Sequence, residues 1–410
     1  MSLPIRSVTA VATAALIPLG LLVGSVATAG ASSSHVAGRD RADNSYTVHQ
    51  ILSGTTLTHT FTPAGAASPV TDQLSNPDDI TELGNRIFVG FQNGVGPQGQ
   101  ASVDGNLEST VVELKRDGDP VAQWDVAGKA DGVSADPQAG TVIVTVNEDL
   151  HSSFYTIDPN TTGPNAETHY SFNESLPHNG GTDAISIYDG QILISASAPG
   201  TTGAAAPQPT YPAVYSVTLD PGTKVATVAP LFSDEDQAIV ANIGGAQFGD
   251  SVALALTDPD SNEVVPAGAR FGGDFMLASQ GDQEQIYLSG AGRRQQKLSV
   301  LSLSQSVDDT AWPTQSGGTL YSTDSTNDSV DSVVGPFSPG QPLVVATPSG
   351  SNSAPTSCPA PPSYPANYLA GLNPMTGQVT AVTVVGAQYT PEGGLLFVPH
   401  DGDGHDGGNE

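Results

Sequence analysis

An all-β chain whose short strands recur in a repeating unit and close on themselves in a ring is the architecture this sequence predicts. Three observations carry that reading. Beyond residue 31, no run of about 12 residues places apolar side chains at i, i+3, i+4 and i+7, so helical periodicity is missing. Short runs of Val, Ile, Thr, Tyr and Phe, bounded by Gly, Pro, Asp and Asn, take its place throughout. One unit also repeats: an acidic start, a short apolar run, a Gly or Asp turn, a second apolar run, then a less regular pair.

Asp79-Ile80 leads through Gly84-Asn85 to Ile87-Phe88-Val89-Gly90, and Asp131-Gly132-Val133 leads through Gln138-Ala139-Gly140 to Val142-Ile143-Val144. Asp183-Ala184-Ile185 leads through Asp189-Gly190 to Ile192-Leu193-Ile194, so the acids at 79, 131 and 183 stand 52 residues apart each time. Later copies are looser: Asp274-Phe275-Met276-Leu277 with Gln285 to Leu288, Asp309-Thr310-Ala311-Trp312 with Thr319-Leu320-Tyr321, and Glu392-Gly393-Gly394-Leu395. Hairpins complete the units, joining Val111–Leu114 to Val121–Trp124 across Asp117-Gly118, Tyr215–Leu219 to Val225–Val228 across Pro221-Gly222, and Tyr368–Leu372 to Val379–Val384 across Thr376-Gly377. Four short antiparallel strands per unit is the pattern of a single β-propeller, with six blades favoured over seven. Residues 233–271 are the stretch where a seventh would lie. The last copy has room for only one or two strands, so Tyr46–Leu52 and Leu57–Phe61 are expected to close the ring and remove its exposed edges.

Residues 1–31 read as a secretory signal: Arg6 is its only charge, Val8–Val26 is apolar, and Ala27-Thr28-Ala29 or Ala29-Gly30-Ala31 offers cleavage near Ala29 or Ala31. The stretch is too rich in small residues for a stable membrane anchor and no basic cluster follows it. A flexible segment at 32–45, the propeller at 46–399 with a Pro- and Ser-rich insertion at 336–366, and a disordered His/Asp/Gly tail at 400–410 complete the division. Cys358 has no second cysteine to pair with, so packing rather than disulfides must hold the fold. The 410 residues carry 42 Asp and Glu against 12 Lys and Arg, a formal charge of −30. That balance excludes unaided binding to nucleic acid and favours cations and neutral ligands. The chain is expected to be a secreted monomer that meets an extracellular small molecule, glycan or protein.

Ring geometry makes repeat position into ring position. Asp79, Asp131, Asp183, Asp274, Asp309 and Glu392 are expected around one mouth, joined by Asn93, by Asn147, Glu148 and Asp149, and by Asp324 with Asn327 from the returning loops. Converging carboxylates do not all stay ionised without a positive partner. Calcium, which takes six to eight oxygen ligands, fits that set, with Asp79, Asp131, Asn147, Glu148, Asp183, Asp274 and Asp309 as the candidate ligands. The competing reading is that each Asp caps a turn through backbone N–H groups. His178, in Pro177-His178-Asn179-Gly180, and His151 fall in loops on the same mouth and are the candidate acid–base groups. Thr257–Glu263 reads as a solvated acidic loop rather than a calcium loop, and His59 and His169 receive no role.

The Asp-led strands, together with Leu219-Asp220-Pro221-Gly222-Thr223 and Asn373-Pro374-Met375-Thr376-Gly377, resemble the secreted bacterial propellers of the NHL and YncE-like kind over most of residues 46–399. More distantly the chain resembles the six-bladed propellers related to regucalcin and paraoxonase and the streptogramin lyases, without matching either motif for motif. The resemblance implies a binding propeller, with a calcium-dependent lactonase or esterase, or a lyase acting at the same mouth, as the enzymatic alternative.

Overall fold

The computed structural model describes residues 44–176, 181–197, 211–348 and 366–400. The signal segment, Cys358, most of the Pro- and Ser-rich insertion and the tail beyond His400 lie outside the described residues. Apart from 3-10 turns at Gly54–Thr56 and Gly163–Asn165, the regular elements are all strands, in a propeller-like arrangement.

The second strands of the sheets are short apolar runs without alternation, because both their faces are covered by neighbouring sheets. Thr141–Val146 and Phe275–Ser279 are buried almost throughout, whereas the outer Pro120–Ala127 is largely open. Pro77–Leu83, Arg86–Phe91, Glu108–Lys115 and Pro120–Ala127 form one antiparallel sheet in chain order. Ala130–Asp136, Thr141–Val146, Ser153–Ile157 and Glu167–Phe172 form the next, followed by Ile185–Tyr188, Gln191–Ser195, Pro212–Asp220 and Val225–Ser233. These two fuse at their outer edges, where Ser171 and Phe172 run parallel to Val225 and Ala226.

The middle of the chain departs from the sequence reading. The inner strand of the fourth set is Pro259–Val264, the segment read as an acidic loop, and Phe275–Ser279 is its second strand. Gln237–Val240 and Ser251–Ala253 widen this sheet from outside by parallel pairing to Lys297–Ser302 and form no separate sheet. The 52-residue rhythm is lost here because these added strands precede the inner one.

Val307–Ala311 pairs with Leu343–Ala346, inside the segment expected to be an insertion, and not with Gly318–Asp324. Gly318–Asp324 instead lies between the C-terminal Leu395–Pro399 and Ser329–Val334; the N-terminal Ser45–Ser53 pairs outside Ser329–Val334, and Thr383–Gly386 runs parallel to it at the outer edge. Thr58–Phe61 pairs only with Val70–Gln73 in a separate hairpin and supplies no outer strand.

Pro77–Leu83, Ala130–Asp136, Ile185–Tyr188, Pro259–Val264, Val307–Ala311 and Leu395–Pro399 each pack on the next, and the last on the first. The apolar core lies between sheets. Ile143, Phe154 and Tyr170 meet Ile194 and Tyr215 at one interface, and Met276 and Tyr287 meet Val344 and Ala370 at another. Each fully buried aliphatic or Phe side chain there contributes about 1.5–3 kcal/mol. At the closure, the Tyr321 hydroxyl donates to the Arg116 carbonyl at 2.9 Å, tying the last sheet to the first.

Candidate functional site

The inner strands begin with irregularities that turn acids inward. Pro77 pairs with Phe91 and Ile80 with Val89, so Asp78 and Asp79 together oppose Gly90 alone, a bulge that re-aims both side chains. The same slip places Asp131 and Gly132 between Ala130 and Val133, Asp260 and Ser261 between Pro259 and Asn262, and Asp308 and Asp309 between Val307 and Thr310. Asp183-Ala184 and Gly393-Gly394 hold the matching places before Ile185 and Leu395. The equivalent residues are therefore Asp78, Asp131, Asp183, Asp260 and Asp308, with Gly393 in the sixth position. Asp79 and Asp309 stand one residue further on.

That offset changes what Asp79 and Asp309 do. Asp79 accepts the Ile80 amide at 2.7 Å and the Val133 amide of the next inner strand at 2.5 Å. Asp309 does the same with Thr310 at 2.6 Å and Leu395 at 2.5 Å. Both are turn-capping acids of the kind weighed against the metal reading. Hydroxyls reinforce the ring, with Thr145 donating to the Asp183 carbonyl at 2.7 Å, Ser195 to that of Asp260 at 2.9 Å, Ser261 to that of Asp308 at 2.6 Å, and Thr323 to that of Asp78.

All five ring acids, with Asp79, Asp309 and Glu263, line one cavity of about 490 Å³ at the centre of the ring. Lys129 does not line it but pairs with a ring acid: its Nζ lies 2.8 Å from Asp131 Oδ1 and 2.5 Å from Glu148 Oε1. Asp131 is only 4% exposed, and its Oδ2 is sealed from solvent without a hydrogen-bond partner. Gly393 donates to Asp308 at 3.1 Å. No donor among the described residues is bonded to the side chains of Asp78, Asp183 or Glu263.

Burial dominates the electrostatics. It pushes Asp79 up to about 7 against the opposing amides of Val133 and Ile80. Asp131 rises to about 7 through burial and then the Glu148 charge, opposed by Lys129. Asp308 also rises to about 7, chiefly through burial. Asp78, Asp183, Asp260, Glu263 and Asp309 are raised well above the usual carboxylate range, by burial first and neighbouring acids second. Burial works against the Lys129 charge, but Asp131, Glu148 and Asp78 outweigh it and raise its pKa.

Of the residues expected from sequence, Asp79, Asp131, Asp183 and Asp309 come together on this cavity and Asp274, Asn147 and Glu148 do not line it. Val264 pairs with Phe275, so Asp274 sits beyond the opposite end of its strand from Asp260. Asn147 is a buried loop tie, accepting the Lys129 amide at 3.0 Å and donating to the His151 carbonyl at 3.3 Å. Glu148 lies off the cavity but pairs with Lys129, and its charge raises Asp131 and Asp183. The His151 side chain is exposed and off the cavity, and His178 lies outside the described residues. Asn93 accepts the Ser75 amide, Asp324 accepts from Asn327 and Thr390, and Glu392 accepts from Ser325, so these residues tie loops to one another. Sequence reasoning missed Asp78, Asp260, Glu263, Asp308 and Lys129. The doubled acids Asp78-Asp79 and Asp308-Asp309 were the available signal, and Lys129 is legible as a lysine two residues ahead of Asp131.

Among the described residues, no three His, Cys, Asp or Glu side chains are close enough together to chelate one ion. The donors are all hard oxygens, but the ring spreads them apart.

No protein-family model matches the chain, and no curated protein sequence matches it. Solved structures with a similar arrangement include a periplasmic gluconolactonase of Pseudomonas aeruginosa, at 13% identity over 83% of this chain and 94% of that one, with a TM-score of 0.39. A putative 6-phosphogluconolactonase from Bacteroides fragilis is 11% identical over 88% of this chain and 100% of that one, at a TM-score of 0.40. An auxiliary nutrient binding protein from Bacteroides thetaiotaomicron is 11% identical over 65% of this chain and 60% of that one, at 0.36. Nothing about this chain's ligand or chemistry follows from likenesses this remote. No helix among the described residues is long and apolar enough to cross a membrane.

Proposed function

We propose that this chain is an exported six-bladed binding propeller of the NHL or YncE-like kind, working as a monomer, whose central channel takes a positively charged ligand. The observation that carries the reading is the imbalance at one cavity: eight carboxylates line it, and among the described residues only Lys129 forms an ion pair with any of them, Asp131. Carboxylates so placed keep their charge only if a cation joins them, so binding energy and relief of desolvation act together.

Calcium is one such cation. Asp78, Asp131, Asp183, Asp260 and Asp308 are the ring acids that would hold it. Since no three of them form a ready chelate, an ion there keeps part of its water shell. A hydrolytic role has less support, because His151 does not reach the cavity. The test is a calorimetric and thermal-shift panel of inorganic and organic cations on the processed chain, with Asp183→Asn as the control. Binding of any of them, weakened at least tenfold by the substitution, supports the reading. A chain that binds no cation at millimolar concentration refutes it.

A further inference from the structure

The channel has levels, set by register. The ring acids occupy the first, and two residues further along come Ile80, Val133, Ile185 and Leu395 on four inner strands and Asn262 on a fifth, all lining the same cavity, with Thr310 in the matching place on the sixth. One residue beyond that level lies Glu263, also on the cavity, with the Asp309 and Asp79 charges near it. From Asp260 to Glu263 the strand advances less than the roughly 10 Å of three ordinary strand residues, because the Asp260-Ser261 bulge takes up part of the rise. Asp79 and Asp309 are held by backbone amides, whereas no donor among the described residues is bonded to the Glu263 carboxylate. The cavity thus offers negative charge at two depths with aliphatic side chains between them.

A metal ion uses little of this. It needs three or more oxygens at one point, which the ring does not supply, and it gains nothing from the aliphatic level. A primary ammonium fits better, and one already pairs with a ring acid from beside the cavity: the Lys129 Nζ lies 2.8 Å from Asp131 Oδ1, while Asp131 Oδ2 has no hydrogen-bond partner. Extending the reading of the channel as a cation site, we propose that its ligand is a linear aliphatic polyamine, with one ammonium in the ring formed by Asp78, Asp131, Asp183 and Asp260, a second at Glu263, and methylenes against the aliphatic level. The methylenes gain from burial on apolar wall. The two ammoniums gain from carboxylates already removed from bulk water.

Calorimetry on the processed chain at low salt separates the possibilities, using spermidine, putrescine, butylamine and calcium as probes. Spermidine is expected to bind tightest, at least tenfold better than putrescine and a hundredfold better than butylamine. Glu263→Gln is expected to weaken spermidine at least tenfold and to leave butylamine unchanged, while Asp183→Asn weakens every amine. A melting curve confirms folding of Glu263→Gln, which removes a half-buried carboxylate without a hydrogen-bond donor among the described residues. Calcium binding without amine binding, equal affinity for spermidine and butylamine, or an unaltered spermidine affinity in Glu263→Gln overturns the polyamine assignment and leaves the cation channel standing. Failure of all four probes overturns both.

Discussion

Asp79 Oδ2 accepts the backbone amide of Val133 at 2.5 Å, so the side chain of one inner strand fastens the main chain of the next. Its other oxygen holds its own neighbour, Ile80, at 2.7 Å. Asp79→Ala leaves two amides without partners in a site that excludes most water, at a cost of about 1–3 kcal/mol. Urea denaturation should show that loss. Asp79→Asn keeps one acceptor oxygen and should lose less than half as much.

Among the described residues, Lys129 is the cation that pairs with a ring acid. Lys129→Met strands Asp131 and Glu148 and should destabilise the fold at pH 8 by about 2–3 kcal/mol, below the ~3–5 kcal/mol of a fully sealed pair because Glu148 keeps some solvent contact. At pH 5 the difference between mutant and parent should shrink, since Asp131 then takes up a proton. An equal loss at both pH values would show that packing, not charge, is what Lys129 provides.

Asp79, Asp131 and Asp308 have pKa values raised to about 7 in the folded chain. Unfolded, each returns to roughly 4. Between those values the folded state binds more protons than the unfolded one, so stability falls as pH rises through the window from about 4 to about 7. The ligand-free chain should therefore melt higher at pH 5.5 than at pH 8. A bound cation should flatten the difference. A melting temperature that climbs steadily from pH 5.5 to pH 8 would contradict the raised values.

Gly393 has φ near +72°, and a Cβ on it would lie 2.7 Å from the Asp78 carbonyl oxygen. Gly393→Ala combines a left-handed backbone penalty of about 1–2 kcal/mol with displacement of Asp78. Both lower stability and weaken whatever the ring binds. The expected signature is a lower melting temperature together with reduced cation affinity. Asp274→Asn, at the far end of its sheet, should leave cation affinity unchanged in the same titration.

The sequence by itself determined the class of fold and much of its cycle. Runs such as Thr141–Val146 and Phe275–Ser279 admit only covered strands, the hairpin turns follow local Gly and Pro chemistry, and the acidic starts at 131 and 183 mark real equivalent positions. Those features depend on neighbours a few residues away, which a sequence displays.

What only the tertiary structure decided was which sheet each run joins and which acid faces the channel. Gly318–Asp324 follows Val307–Ala311 in the chain yet pairs with Leu395–Pro399, because the two ends of the chain have to complete one sheet. Pro259–Val264 looks like a solvated loop until its neighbours on both sides remove it from water. Bulge register then separates Asp78, which lines the cavity with no side-chain donor, from Asp79, which spends its oxygens on amides. A one-residue slip of that kind changes no composition and no period. It is set by the strand opposite, so pairing alone reveals it.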